Sequence, residues 1–182
     1  MSETALGEVV VKGYTLTEAL GRITPALRDE ITGMWLAEGV LPPAEAQRRV
    51  AEVVLIARAP DGSLAAVNTA YVAEIPGSDA HYWFYRTFVC PAHRGVWGLP
   101  RGMLRRAIDV LRAHRHPDRP RGVVAIIENA RLMRKGSSAV IARSGMHLVG
   151  RDTQGHDVWC IRFDGEVPVA PAGLLAPTLR PH

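Results

Sequence analysis

Residues 82–111, YWFYRTFVCPAHRGVWGLPRGMLRRAIDVL, read as a strand, a glycine-containing loop and a helix in immediate succession. From Tyr82 to Cys90 the side chains are aromatic or β-branched in a near-continuous run, the pattern of a strand covered on both faces. Pro91 closes the run, because it has no N–H with which to continue a ladder. Met103, Leu104, Ala107, Ile108 and Leu111 then recur at helical spacing and form one apolar stripe. Pro100 suits the first turn of that helix, where an N–H has no helical partner. Between strand and helix lies HRGVWGL. Unpaired N–H groups at a helix start, and the positive end of the helix dipole, favour an anion there, typically a phosphate. The same pattern also serves as an ordinary strand–helix corner without a ligand.

The flanking sequence supplies the rest of a mixed sheet. GEVVVKGYTL offers a first strand or a short edge, after a frayed start over residues 1–8. Thr24 is a good N-cap and Pro25 a good first residue for a helix that ends at Gly39, with Leu27, Ile31, Met34 and Trp35 on one side. A second helix is expected from Pro42 and Pro43 through Ala44, Ala46 and Val50, with Gln47, Arg48 and Arg49 on its wet side. VVLIARAPDGSLAAVNTAYVAEI reads as two antiparallel strands joined at Pro60-Asp61-Gly62, where Pro presets φ and Gly accepts a left-handed conformation. GVVAII, residues 122–127, is a short buried strand, placed parallel to the strand at 82–90 by the helix that connects them. HLVGRDTQGHDVWCIRF forms a closing hairpin around Asp152-Thr153-Gln154-Gly155. The expectation is one domain over residues 1–165, followed by a loosely ordered tail rich in Pro and Ala over residues 166–182.

The loop resembles the cofactor-binding segment of the GCN5-related N-acetyltransferase (GNAT) superfamily, whose pattern is V-x-P-x-x-R/Q-x-x-G-x-G/A. Val89, Pro91 and Arg94 fall on it, and Gly95 sits where a typical member has a glycine. Trp97 stands where a glycine is usual, and one inserted residue brings Gly98 into that role and Pro100 onto the last Gly/Ala position. Asn129 and Gly145 match two further landmarks of the family, with Met146 in place of the usual Phe. The resemblance implies an α/β (α+β) fold with a mixed, mostly antiparallel sheet, two splayed parallel strands and flanking helices. It also implies a cofactor, acetyl-CoA or another acyl-CoA. The loop of Arg94, Gly95, Val96, Trp97, Gly98 and Leu99 would hold its pyrophosphate, and backbone groups of Val89 and Cys90 would pair with its pantetheine arm, aided by Asn129.

On the same resemblance the reaction is acyl transfer to a primary amine of a small molecule or a protein. Glu74, at the end of a strand, is the candidate base, and a solvated strand-end Glu is the alternative. The family's usual acid, a Tyr, is replaced here by Ile141, and no Tyr follows Tyr85. That substitution keeps a second class of function open, a catalytically silent domain binding an acyl-CoA or another pantetheine ligand for sensing or assembly. Tyr71, Tyr82, Tyr85, Trp83 and Trp35 either line an acceptor pocket or form plain core.

Composition narrows the partners. The net charge is +4, with basic residues concentrated between Arg101 and Arg121. No aromatic-studded sheet or recognition-helix pattern accompanies them, so nucleic acid is not the expected partner. Cys90 and Cys160 both fall in apolar runs, as buried free thiols do, and no metal-ligating pair is present. No stretch is apolar enough to span a bilayer and no signal peptide is evident, which points to a cytoplasmic protein. An edge strand and the closing hairpin offer a surface for a homodimer.

Overall fold

A computed structural model describes residues 7–128 and 135–175. Among the described residues are eight strands: β1 (Val9–Val11), β2 (Tyr14–Glu18), β3 (Val53–Arg58), β4 (Leu64–Glu74), β5 (His81–Val89), β6 (Gly122–Ile127), β7 (His147–Arg151) and β8 (Asp157–Arg162). They lie in one sheet in the order β1-β2-β3-β4-β5-β6-β8-β7. Four α-helices accompany them among the described residues: α1 (Pro25–Ala37), α2 (Pro43–Arg49), α3 (Leu99–Ala113) and α4 (Lys135–Ala142). The pairing of β5 with β6 is parallel, as a helical crossover requires. Among the described residues no helix is long and apolar enough to cross a membrane.

By contact the chain forms two compact units, one of residues 1–70 and 87–110, the other of residues 71–86 and 111–182. The first is built on local signals that act as expected. Thr24 Oγ1 accepts from the Leu27 amide at 3.2 Å and caps α1, and Pro25 opens the helix. Ile31 and Trp35 of α1 are buried with Ala46 and Val50 against Val53, Ile56 and Val67 of the sheet. Asp61 accepts from the Ser63 amide in the β3–β4 turn, with Gly62 at φ +85°. The segment GEVVVKGYTL is two strands rather than one: Lys12 and Gly13 both have positive φ, the geometry of a two-residue hairpin turn whose twist matches its strands. On the far side of that hairpin Leu16 packs with Leu99 and Met103 of α3.

The second unit holds a cluster of Tyr82, Phe84, Val124, Val149, Val158 and Cys160, with Tyr71 and Leu174 packed against it. Its closing hairpin turns at Asp152, whose carboxylate accepts from the amides of Gln154 and His156. Both cysteines are free and buried. Burial pushes the Cys160 thiol up to about 12, because an ionised sulfur would lose its hydration. The tail differs from the loose segment expected. Arg151 and Leu175 exchange both backbone hydrogen bonds, at 2.8 and 2.9 Å, so the chain beyond β8 returns to pair with β7. Trp35, Tyr82, Trp83 and Tyr85 are buried core residues. The strand at 82–90 is buried over Tyr82–Tyr85 and again at Cys90; from Arg86 to Val89 its residues are partly or fully exposed.

Candidate functional site

The site is built where β5 runs out. The Cys90 amide donates to the Ala65 carbonyl at 2.9 Å, which keeps this end of the strand in register with β4. Strand amides alternate in direction, so Val89 turns its own N–H away from β4. A short 3₁₀ turn over Pro91–His93 follows. The amides of His93, Val96 and Leu99 then donate to the carbonyls of Cys90, His93 and Val96, at 2.9, 3.2 and 3.3 Å, and the Gly102 amide donates to Gly98 to begin α3. Among the described residues, the amides of Gly95, Trp97 and Gly98 meet no acceptor in this scheme. They stand at the start of a 15-residue helix whose second residue, Pro100, has no N–H to add. Leu99 is fully buried and Val96 packs on the same cluster, so the loop is pinned by its apolar members while its amides stay open.

Two cations, Arg94 and Lys12, flank the loop. Arg94 bends back on its own strand: its Nε donates to the Val89 carbonyl at 3.1 Å and its guanidinium lies 5.8 Å from the Phe88 ring centre. His93 Nδ1 is 3.0 Å from the Tyr14 hydroxyl, which ties the loop to β2. Trp97 is 77% exposed, and the Lys12 ammonium sits 5.4 Å from the centre of its ring. Lys12 also covers Gly98, whose φ is +90° and whose missing Cβ would meet the lysine chain at 3.7 Å. Lys12 is therefore a member of the site that the sequence does not reveal as one. Its available signal is the Lys-Gly turn between two β-rich runs, which predicts a hairpin tip but not what the tip touches.

The remaining candidates are placed as follows. Cys90 Sγ lies 3.4 Å from both Met34 Sδ and the Leu64 carbonyl, and burial, with the Glu38 charge adding to it, raises its pKa. It is a packed thiol rather than a nucleophile. Glu74 is 57% exposed and lies 3.7 Å from His81 Nε2. His81 is the first residue of the nine-residue β5, and the loop follows the last. Asn129 lies outside the described residues. Ile141 is in the last turn of α4, half-buried. The parallel ladder pairs Trp83, Phe84 and Tyr85 with Val123, Val124 and Ala125, although β5 continues to Val89 and β6 to Ile127. On its other edge β6 pairs with β8 from Gly122 through Ile127. Among the described residues no group of histidines, cysteines and carboxylates is arranged to hold a metal ion.

No protein-family model matches the sequence, and no curated protein matches it. Solved structures do match, over nearly the whole chain. A GNAT superfamily phosphinothricin acetyltransferase from Sinorhizobium meliloti, in complex with AcCoA, aligns with a TM-score of 0.63 at 15% identity, covering 89% of this chain and 95% of that one. A GNAT-family acetyltransferase from Listeria monocytogenes aligns at 0.60 and 15%, covering 85% and 99%. The ribosomal-protein-S5-alanine acetyltransferase of Vibrio fischeri aligns at 0.58 and 11%, covering 88% and 99%. At such identities a likeness speaks for architecture alone. The order of elements, the single parallel pair and the open strand–loop–helix corner together make this chain a GNAT fold.

Proposed function

We propose that the protein is an acyl-CoA-dependent N-acyltransferase, taking acetyl-CoA or another acyl-CoA as donor and a primary amine of a small molecule or protein as acceptor. The observation that carries this reading is the set of open amides at Gly95, Trp97 and Gly98, beside Lys12, at the start of α3 in a GNAT fold. Such a corner suits a pyrophosphate: backbone donors are open, the helix dipole is favourable, and glycine lets the backbone approach closely. Val89, whose N–H faces away from β4, is suited to pair with the pantetheine arm or to polarise the thioester carbonyl.

In the reaction, the neutral amine nitrogen attacks the thioester carbon, a C–N bond forms, the C–S bond breaks, and the proton shed by nitrogen balances the departing thiolate. The absence of a hydroxyl at Ile141 slows this step without forbidding it. A thiolate whose conjugate acid has a pKa of about 8.5 is a tolerable leaving group, and a general acid typically contributes about 10²- to 10⁴-fold. Ile141 is also the one observation that favours a second reading, a domain that binds acyl-CoA without turning it over.

Calorimetry with acetyl-CoA and a thiol-release assay with a panel of amines decide between them. Wild type should bind acetyl-CoA, and Gly98→Val should bind it about 10- to 100-fold more weakly, the cost of losing a hydrogen bond to a charged group. Unchanged affinity in Gly98→Val would rule out the loop as the binding site. Binding without thiol release from any amine would leave the silent domain. Glu74→Gln belongs in the same assay: a loss of turnover would give that carboxylate the base's role, despite its place beside His81.

A further inference from the structure

Within the second unit, the chain that returns after β8 and the sheet beneath it enclose a cavity of about 270 Å³, lined by Tyr82 of β5, Val149 of β7 and Cys160 of β8 among others. Tyr82 is 8% exposed and Cys160 1%, yet neither the hydroxyl nor the thiol has a hydrogen-bond partner among the described residues. Buried polar groups are normally paired, so two unpaired ones on the wall of a cavity call for a guest. Burial raises the pKa of Tyr82 and pushes that of Cys160 up to about 12, so each group keeps its proton and offers it as a donor. Ser78, also on the wall, adds a third: its Oγ accepts from the Ala80 amide at 3.2 Å, which leaves its own O–H to donate.

The rest of the lining decides what such a guest can be. No charged side chain is among the residues around the cavity, and the returning chain brings two prolines, Pro168 and Pro171, which have no N–H. An ion entering here would lose its hydration and gain no counter-charge, which excludes an ammonium, a carboxylate or a phosphate. An apolar cavity of about 150 Å³ holds benzene, so this volume suits a ring with a short substituent, about ten non-hydrogen atoms.

We propose that this cavity is a binding site for a neutral ring compound whose carbonyl or hydroxyl oxygen accepts a hydrogen bond from Tyr82. None of the lining residues belongs to the loop at 94–99, and the site does not depend on the acyltransferase reading. A guest there touches the sheet and the returning chain together, so its binding stabilises the cover over β7.

Calorimetry and thermal melts of the full chain with ring probes of similar size test this. Acetophenone and para-cresol are neutral, and benzoate and benzylamine are charged at neutral pH. The neutral pair should bind wild type and raise its Tm, and the charged pair should bind at least about 10-fold more weakly. Tyr82→Phe keeps the ring and breaks no hydrogen bond within the described residues, so it should fold as wild type does and bind acetophenone about 3- to 10-fold more weakly. Ala170→Phe, at an exposed position of the lining, should fill the space and abolish binding. The proposal is overturned if neither neutral probe binds wild type, or if Tyr82→Phe and Ala170→Phe bind them as wild type does, since the probes then sit elsewhere. Equal affinity for the charged pair would overturn the class of ligand.

Discussion

Cys160 shows how much a single buried atom says about the chain. Its thiol sits in β8 among Tyr82, Val124 and Val158, and burial raises its pKa from the usual 9.0 to about 12. The folded state therefore holds a proton between pH 9 and 12 that the unfolded chain gives up, and stability falls as pH rises through that window. Three pH units of difference correspond to about 4 kcal/mol as an upper figure. Urea midpoints measured from pH 8 to 11 should drop less steeply in Cys160→Ala than in wild type, although the variant starts lower because of the cavity it opens. The burial of Cys160 was legible from its apolar neighbours, as was the Thr24 cap from its place before Pro25. Lys12 was not, because its partners Trp97 and Gly98 are distant in sequence and only the folded hairpin brings them within reach.

At the level of elements, the β1–β2 hairpin and α3 meet at Gly102. A Cβ there would come within 2.7 Å of a Val11 methyl, so the missing side chain is what lets the strand lie on the helix. Gly102→Ala trades a gain in helix propensity of up to about 1 kcal/mol against overpacking worth about 1–3 kcal/mol. The net expectation is a destabilised protein. In a Val11→Ala background the clash is gone and the same change should become neutral or stabilising, so a double-mutant cycle by chemical denaturation reads the contact directly. Most elements were legible where periodicity and punctuation agreed: α1 with its cap, β3 and β4 with their Pro-Asp-Gly turn, α3 with its stripe. The hairpin at 9–18 reads in the sequence as a single strand or edge because Lys12-Gly13 is a two-residue turn without proline, asparagine or aspartate. Beyond Tyr85 β5 is less covered than its apolar run suggests, since such a run records apolarity but not where the neighbouring strand stops. The open loop amides were legible as a possibility, yet which amides stay open depends on the bonds made by His93, Val96 and Leu99.

For the molecule as a whole, the instructive segment is the one after β8. Strand β7 is at one edge of the sheet, and Leu175 pairs with its Arg151. Next to that pair, Gly173 meets the turn at Pro76-Gly77 backbone to backbone, so closely that a Cβ on either glycine would collide. A cavity of about 270 Å³ lies under the returning segment, lined by Ile75, Tyr82, Cys160 and Pro168 among others. Ending the chain after Asp164 should bare the β7 edge and this apolar floor. Light scattering and thermal melts should then show a lower Tm and more self-association than in the full chain, because an uncovered strand edge is a template for pairing. In terms of the order of synthesis, the guard for β7 is made only after β7 and β8 themselves. A nascent chain carries an open sheet edge for as long as residues 173–175 have yet to emerge, so conditions that slow translation over that stretch lengthen the time in which neighbouring chains can pair with one another.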